Sequence, residues 1–211
     1  LSLKNANAMI RSLYWHKKSL EKLSHWDALI SQLPSDHLDM DREIKKVGIL
    51  GAGMMGASLA FVCARADYLV VIRDIKEEVL SQASQHIQKL YDEQKISADI
   101  KHKQIAKCQF TTDLNLLSDC DLVIEAVFED MSVKEVVFKK LDEVMKPGAI
   151  LASNTSTLDI DKIAAFTKRP QDVIGTHFFS PANVMKLLEI VRGEKTAKDV
   201  LATTMALAKT I

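Results

Sequence analysis

Residues 47–56 join a short apolar run to three glycines in the spacing G-x-G-x-x-G. Gly51 allows a tight turn after a strand, Gly53 allows a pyrophosphate to approach the backbone, and Gly56 allows a helix to pack closely against that strand. The helix that is predicted to open within this turn points its unpaired amide groups at an anion. The segment therefore predicts a dinucleotide-binding turn.

The residues that follow fit the same motif. Apolar positions at helical spacing begin with Met54 and Met55, whose backbone lies where the phosphates are expected, and a second apolar run over residues 69–72 precedes Asp74. Asp74 is 23 residues after Gly51, close to the offset of about 20 at which an acidic residue binds the ribose hydroxyls. Because a carboxylate repels a 2′-phosphate, Asp74 favours NAD over NADP as the cofactor.

Composition and charge argue against several classes of partner. Basic and acidic residues balance at 28 each in 211 residues, so neither nucleic acid nor an anionic membrane is expected as a partner. No apolar run reaches membrane-spanning length. Three cysteines without C-x-x-C spacing predict a reducing compartment and argue against disulfides and a metal site; they are Cys63, Cys108 and Cys120. A small-molecule ligand is the remaining expectation.

The chain divides into an N-terminal segment and one globular unit. Apolar positions from about residue 3 to 33 fall near helical spacing, and the polar stretch up to residue 43 is typical of a linker. We therefore predict a helical linker segment over residues 1–43 and a dinucleotide-binding domain over residues 44–211. Because the chain begins with Leu1 rather than Met, we also expect the numbering to start inside a longer gene product.

Apolar strands alternate with helices through the globular unit. Strands are predicted at residues 47–50, 69–73, 109–111, 122–127 and 150–152, and helices at residues 54–66, 77–94, 132–145 and 197–211. Fully apolar strands in this alternation indicate a parallel sheet that is covered on both faces. The predicted fold class is α/β, a Rossmann-type doubly wound and mostly parallel sheet that follows the helical linker.

A series of lysines begins in the second predicted helix and continues beyond it. Such lysines most often form a solvated surface. The alternative is that some of them bind the phosphates of a large anionic substrate. The residues concerned are Lys89, Lys95, Lys101, Lys103 and Lys107.

Polar residues follow the predicted strands at the end where an open α/β sheet binds its ligand. His177 comes directly after the apolar run 173–176, and Glu189 lies inside the apolar run 187–191. Since an unpaired charge is costly to bury, Glu189 needs a partner, and His177 is the candidate. An imidazole whose Nδ1–H is held by a carboxylate presents Nε2 as a base. The alternative is a core histidine bonded to a carbonyl, with Glu189 capping another group.

Four blocks of the sequence together resemble the NAD-binding domain of L-3-hydroxyacyl-CoA dehydrogenases. The blocks are GAGMMG at 51–56, SNTS at 153–156, GTHFFSP at 175–181 and VMKLLE at 184–189. The resemblance covers residues 45–211 and implies NAD-dependent oxidation of 3-hydroxyacyl-CoA in fatty-acid β-oxidation. It also implies that His177 is the general acid/base and that Glu189 orients it.

The resemblance assigns further residues to substrate and cofactor. Ser156 contacts both the substrate hydroxyl and the cofactor, while Glu129 and Lys134 contact the cofactor. Asp74 holds the adenosine ribose, as the motif already suggests. Ser180 stands where single-function members usually carry Asn, so its contact with substrate or nicotinamide is expected to run through a water molecule.

The Ser-Pro-Ala sequence at residues 180–182 resembles the multifunctional β-oxidation enzymes, in which a crotonase-type hydratase domain precedes the dehydrogenase. This resemblance implies a peroxisomal protein, with the mitochondrion and the bacterial cytoplasm as alternatives. The resemblance to the dehydrogenase family as a whole implies a C-terminal helical domain of the same gene product that completes the active site.

Two other functions remain open on the sequence. A dinucleotide-binding module without turnover would need the glycines and Asp74 but gives no reason for His177 and Glu189. A related 3-hydroxyacid or sugar-acid dehydrogenase would keep the chemistry near His177 and differ in the surface that contacts CoA.

Overall fold

The computed structural model describes residues 13–16, 42–185 and 187–211. Eight strands form one sheet: β1 (Leu13–His16), β2 (Lys46–Leu50), β3 (Leu69–Arg73), β4 (Cys108–Thr111), β5 (Leu122–Glu125), β6 (Ile150–Ser153), β7 (Val173–Phe178) and β8 (Leu187–Val191). Six α-helices connect them: α1 (Met54–Arg65), α2 (Glu77–Asp92), α3 (Ala98–Ile105), α4 (Met131–Val144), α5 (Ile160–Ala165) and α6 (Lys198–Thr210). Short 3₁₀ helices cover Leu114–Leu117 and Pro170–Asp172.

The order of the strands across the sheet is β1-β8-β7-β6-β5-β2-β3-β4. The six strands from β2 to β7 are parallel, whereas β8 runs antiparallel to β7. The chain reverses its direction of winding between β2 and β5, which is the place where doubly wound sheets open a crevice for a ligand. The predicted α/β fold class is confirmed.

The first strand corrects the prediction for the N-terminal segment. Leu13–His16 forms β1, antiparallel to β8, where a helix was expected, so the helical prediction is wrong at these four residues. Without β1, strand β8 would leave its outer N–H and C=O groups unpaired, and an extended segment pairs with them. Aromatic residues such as Tyr14 and Trp15 also favour strands. The rest of the helical prediction lies outside the described residues.

Two helices were not predicted, α3 and α5. Helix α3 has no buried residue, so it carries no apolar stripe, and it begins where Ser97 accepts a hydrogen bond from the backbone of Ile100. Helix α5 has six residues and is capped at its N-terminus by Asp159, whose carboxylate accepts from two backbone amides. Elements this short leave too few positions for a helical period to show.

Alternate residues of the strands pack into two apolar clusters on opposite faces of the sheet. In β5, Leu122 and Ile124 join the cluster that α1, α2 and α6 cover, while Val123 joins the cluster that α4 and α5 cover. Burial on both faces explains why successive positions of the central strands are mostly apolar. In the described part of the chain, no helix has the length and apolar character needed to span a membrane.

Candidate active site

The three glycines of the turn after β2 differ in what surrounds them. Gly51 has φ +100°, and a Cβ there would lie 2.6 Å from the carbonyl oxygen of Ala126. A Cβ on Gly56 would lie 1.8 Å from the carbonyl oxygen of Gly51, so helix and turn touch through bare backbone. A Cβ on Gly53, which precedes α1, would meet nothing within 4 Å. The open space beside Gly53 and the amides of α1, which begins with Met54 and Met55, fits a pyrophosphate.

Asp74 is fixed beside this turn by backbone hydrogen bonds. Its Oδ2 accepts from the backbone N of Ala52 at 2.8 Å, and its Oδ1 accepts from the backbone N of Lys76 at 3.2 Å. The neighbouring Arg73 donates from Nε to the carbonyl oxygen of Thr112 at 3.2 Å. The carboxylate therefore stands next to the glycine turn, the position that the ribose assignment requires.

Glu129 organises the loop that carries Ser156. Its Oε1 accepts hydrogen bonds from Thr155 Oγ1 at 2.5 Å, Ser156 N at 2.8 Å and Thr157 N at 3.2 Å. Partial burial by itself would raise the pKa of Glu129, but these hydrogen bonds and the charge of Lys134 outweigh burial and lower the pKa. Glu129 is thus an anion that holds two loops together and leaves Ser156 exposed at the carboxyl edge of the sheet.

Beneath this loop lies an ion pair that shows almost no exposed surface. The side chains of Lys134 and Glu125 are 1% and 0% exposed, and Lys134 Nζ lies 2.6 Å from Glu125 Oε1. Glu125 also accepts from Val127 N at 2.7 Å and from Ser153 Oγ at 2.8 Å. Lys134 Nζ lies 3.7 Å from Glu129 Oε2. Lys134 is therefore buried below Glu129, and its contact with the cofactor stays a prediction.

Sequence reasoning missed Glu125 as a site residue and included Ser153 only as part of the SNTS block. The signal was present, because Glu125 is a carboxylate in the otherwise apolar run 122–127, the pattern that drew attention to Glu189. The sequence pattern alone does not show which residue pairs with this carboxylate. The structure supplies that partner from the next helix, α4.

His177 and Glu189 meet across the antiparallel pair β7 and β8. They are directly opposite in the register of the two strands, and His177 Nδ1 lies 2.8 Å from Glu189 Oε2. Both side chains are about four-fifths buried, at 19% and 18% exposure. The ring of Phe179 lies 4.5 Å from the imidazole, centroid to centroid. The carboxylate thus holds one ring nitrogen and leaves Nε2 free of this contact.

Asn154 joins the loop of Ser156 to the strand of His177. Its Oδ1 accepts from the backbone N of Phe178 at 2.9 Å, and its own backbone N donates to the carbonyl oxygen of Glu125 at 2.8 Å. The SNTS block is therefore tied to β7 and β5 together. Ser180 lies farther along, exposed in the connection between β7 and β8.

Two of the lysines considered as phosphate ligands form ion pairs with carboxylates. Lys101 pairs with Asp92 and Lys107 pairs with Asp67. These pairs support the interpretation of a solvated surface for both residues.

Comparison with known proteins places this geometry in a family. Residues 46–211 match the family model described as 3-hydroxyacyl-CoA dehydrogenase, NAD binding domain. The chain is 36% identical over 195 residues to the fatty acid oxidation complex subunit alpha of Psychrobacter cryohalolentis, covering 90% of this chain and 27% of that protein. It is 42% identical over 173 residues to the peroxisomal bifunctional enzyme of Cavia porcellus, covering 81% of this chain and 24% of that protein.

A solved structure shows the same fold. The 3-hydroxybutyryl-CoA dehydrogenase from Escherichia coli K12 superposes with a TM-score of 0.77 at 36% identity, covering 80% of this chain and 37% of that one. The chain spans about a quarter of the length of the curated relatives named above. The match of the family model over most of the chain confirms NAD as the cofactor, and the chain belongs to the 3-hydroxyacyl-CoA dehydrogenase family as its NAD-binding domain.

Proposed function

We propose that this chain is the cofactor-binding part of an enzyme that oxidises L-3-hydroxyacyl-CoA to 3-oxoacyl-CoA with NAD. The observation that carries the proposal is the 2.8 Å contact between His177 and Glu189 near the carboxyl edge of the sheet. A module that only bound a dinucleotide would have no use for this pair. The names of the relatives, which include a 3-hydroxybutyryl-CoA dehydrogenase, support the choice of substrate class.

In the proposed reaction, C3 of the substrate loses a hydride and its hydroxyl loses a proton. NAD, when bound, supplies the acceptor for the hydride. His177 Nε2 takes the proton, since Glu189 keeps the hydrogen of the neutral ring on Nδ1. The same carboxylate stabilises the imidazolium that forms. In the reverse direction the imidazolium returns the proton to the ketone oxygen.

Ser156 is proposed to contact the substrate hydroxyl and the cofactor. Its Oγ lies 3.2 Å from Glu129 Oε1, and because it donates its hydrogen there, its lone pairs can accept a hydrogen bond from a ligand hydroxyl. Glu129 is proposed to contact the cofactor through Oε2, and Ser180 is proposed to act through water. A ribose bound to Asp74 would complete the cofactor site.

The proposed enzyme is larger than the part described here. We propose that a C-terminal helical domain closes the cleft over His177, and that a hydratase domain precedes residues 1–43 in a multifunctional β-oxidation enzyme. The relatives support this, since one is called a bifunctional enzyme and both are far longer than this chain. Peroxisomal and bacterial relatives both occur, and we propose the peroxisome because of the 42% identity to the Cavia porcellus enzyme.

The test is acetoacetyl-CoA-dependent oxidation of NADH by the full-length protein, followed by the loss of NADH absorbance. We expect turnover with acetoacetyl-CoA and little with free acetoacetate, which a dehydrogenase without CoA specificity would use equally well. A His177→Ala variant should bind NADH normally and lose turnover. Binding of NADH without turnover of either substrate would refute the proposal and favour a non-catalytic module.

A further inference from the structure

Two charged side chains that take no part in the proposed transfer of hydride and proton are buried beneath the cleft. Glu125 and Lys134 are 0% and 1% exposed, and their charged atoms lie 2.6 Å apart. Such a pair is costly to desolvate and survives only when hydrogen bonds satisfy both members. Here both oxygens of Glu125 are satisfied, one by Lys134 and Val127 N and the other by Ser153 Oγ. Replacing the pair with apolar residues would often be as stable, so stability alone does not account for it.

Glu125 and Lys134 both contact the backbone of Val127, which lies between the end of β5 and the cleft. Glu125 Oε1 accepts from Val127 N at 2.7 Å, and Lys134 Nζ lies 3.4 Å from the carbonyl oxygen of Val127. Both polar backbone groups of Val127 are thus engaged, two residues before Glu129. Ser153, whose Oγ donates to Glu125, directly precedes the loop that Glu129 binds. One ion pair therefore contacts the starts of both loops that Glu129 joins.

The ammonium of Lys134 also acts on Glu129 directly. Its Nζ lies 3.7 Å from Glu129 Oε2, the oxygen that the Thr155, Ser156 and Thr157 groups leave free. The same ammonium also pairs with Glu125, and Asp130, which follows Glu129 in the chain, has its Oδ1 held by backbone N–H groups at the start of α4.

We propose that Glu125 and Lys134 are positioning residues: the buried pair acts through Glu129 to fix the loop of Ser156 and to keep Oε2 of Glu129 oriented as an anionic acceptor. The proposal rests on the proposed function only for what Glu129 and Ser156 bind. The positioning itself concerns this chain alone and can be measured without substrate or cofactor.

The test compares two double variants of helix α4 and its surroundings in the full-length protein. Glu125→Gln with Lys134→Met removes both buried charges, keeps an acceptor oxygen for Val127 N and places an amide NH2 that can donate to Ser153 Oγ. Glu135→Gln with Lys139→Met removes an exposed pair on the same helix, whose charged atoms lie 2.5 Å apart, and serves as the matched control. The titration of the Glu129 carboxyl is read by carbon NMR in the absence of ligand, with Glu129→Gln assigning the signal.

We expect the titration midpoint of Glu129 to move to higher pH in the buried-pair variant and to stay in place in the control. The NADH dissociation constant should rise by roughly tenfold, about the contribution of one hydrogen bond to a charged group. A Glu129 midpoint and an NADH affinity that match the control would overturn the proposal. If the enzyme proves inactive on acyl-CoA substrates, the proposed function fails. The titration midpoint of Glu129 still tests whether Glu125 and Lys134 position that residue.

A second measurement on the unmodified protein guards against a variant that fails to fold. The Nζ chemical shift of Lys134 in nitrogen NMR should change when the Glu129 carboxyl is protonated, 3.7 Å away, and this change should be absent in Glu129→Gln. A Lys134 signal that does not change when Glu129 is protonated would contradict the proposal that Lys134 acts on Glu129.

Discussion

His177 and Glu189 face each other on the antiparallel strands β7 and β8, with Nδ1 and Oε2 2.8 Å apart. Strand pairing, rather than a flexible loop, sets this distance, so the carboxylate orients the imidazole before any ligand binds. Rigid elements hold catalytic groups more accurately than loops do.

Replacing Glu189 with Gln should therefore slow turnover without weakening NADH binding. The variant loses the negative charge that stabilises the imidazolium and the acceptor that holds Nδ1–H, so we expect kcat to fall by roughly 10²-fold or more. Glu194→Gln, at an exposed position after β8, is the control. Steady-state kinetics and an NADH titration separate the two effects, and near-normal turnover would mean that this pair is not the catalytic unit.

The two directions of the reaction should respond oppositely to pH. Oxidation of the hydroxyacyl substrate needs a neutral imidazole at His177, whereas reduction of the ketone needs the imidazolium. Oxidation should improve as rising pH leaves the imidazole neutral, and reduction should fade over the same change in pH. Initial rates in both directions across a pH series test this, and parallel profiles would exclude His177 as the proton carrier.

The glycine turn offers a prediction that separates folding from binding. Gly56→Ala places a Cβ 1.8 Å from a backbone oxygen, which should destabilise the domain by at least about 3 kcal/mol. Gly53→Ala meets nothing within 4 Å and needs no unusual φ, so its thermal midpoint should hardly change. Its added methyl group would occupy the space of the pyrophosphate, and NADH affinity should drop by about tenfold or more. Equal melting of both variants would contradict this description of the turn.

Much of the fold could be predicted because most of its helices and strands are long enough for the spacing of their apolar residues to show which they are. Strand β3 matches its predicted residues, and α1 ends one residue early. A single charge in an apolar run made the contact of His177 with Glu189 one of two alternatives, and the family resemblance favoured that contact. Glu125 shows the same pattern, yet its partner Lys134 sits on a helix whose lysines look exposed in the sequence. Burial of a long side chain depends on tertiary packing, which a local pattern does not contain.

Strand pairing between distant segments was the second feature of the fold that the sequence could not predict. The strand at Leu13–His16 pairs with β8, more than 170 residues away along the chain, whereas helical spacing in the sequence predicted a helix there. Helix α3 left no apolar stripe because none of its residues is buried. Pairing at a sheet edge depends on a distant strand, and a short exposed helix leaves no apolar pattern, so neither can be predicted from the local sequence.

Asp74 should determine the choice between the two dinucleotides. Ala52 N holds its carboxylate beside the glycine turn at 2.8 Å, where it would repel the 2′-phosphate of NADPH. We expect NADPH to bind at least about tenfold more weakly than NADH, and Asp74→Ser to narrow that gap by losing affinity for NADH. Fluorescence titrations with both cofactors provide the comparison. Equal affinities in the unmodified protein would remove Asp74 from the ribose site.

Asp121 should make the stability of the domain sensitive to acid. It connects the starts of β2 and β5, since its Oδ2 accepts from Lys45 N and Lys46 N at 2.8 Å each and its Oδ1 lies 2.5 Å from Lys146 Nζ. Burial opposes ionisation, but the hydrogen bonds from Lys146, Lys45 and Lys46 outweigh it and lower the pKa of Asp121. The pKa is thus lower in the folded state than in the unfolded chain.

The stabilisation from Asp121 is therefore fully present above the pKa of an unfolded aspartate, about 3.9, and is lost as the pH falls through the lower folded pKa.

Asp121→Asn should reduce the free energy of unfolding at pH 7 by about 1–3 kcal/mol. The deficit should shrink in acid, where the Asp121 carboxyl of the unmodified protein is protonated and therefore uncharged as well. Asp119→Asn removes an exposed partner of Lys46 and should change stability by under about 1 kcal/mol. Urea unfolding at neutral and acidic pH measures both, and a deficit that persists unchanged in acid would show that the ionised form of Asp121 is not what stabilises the sheet.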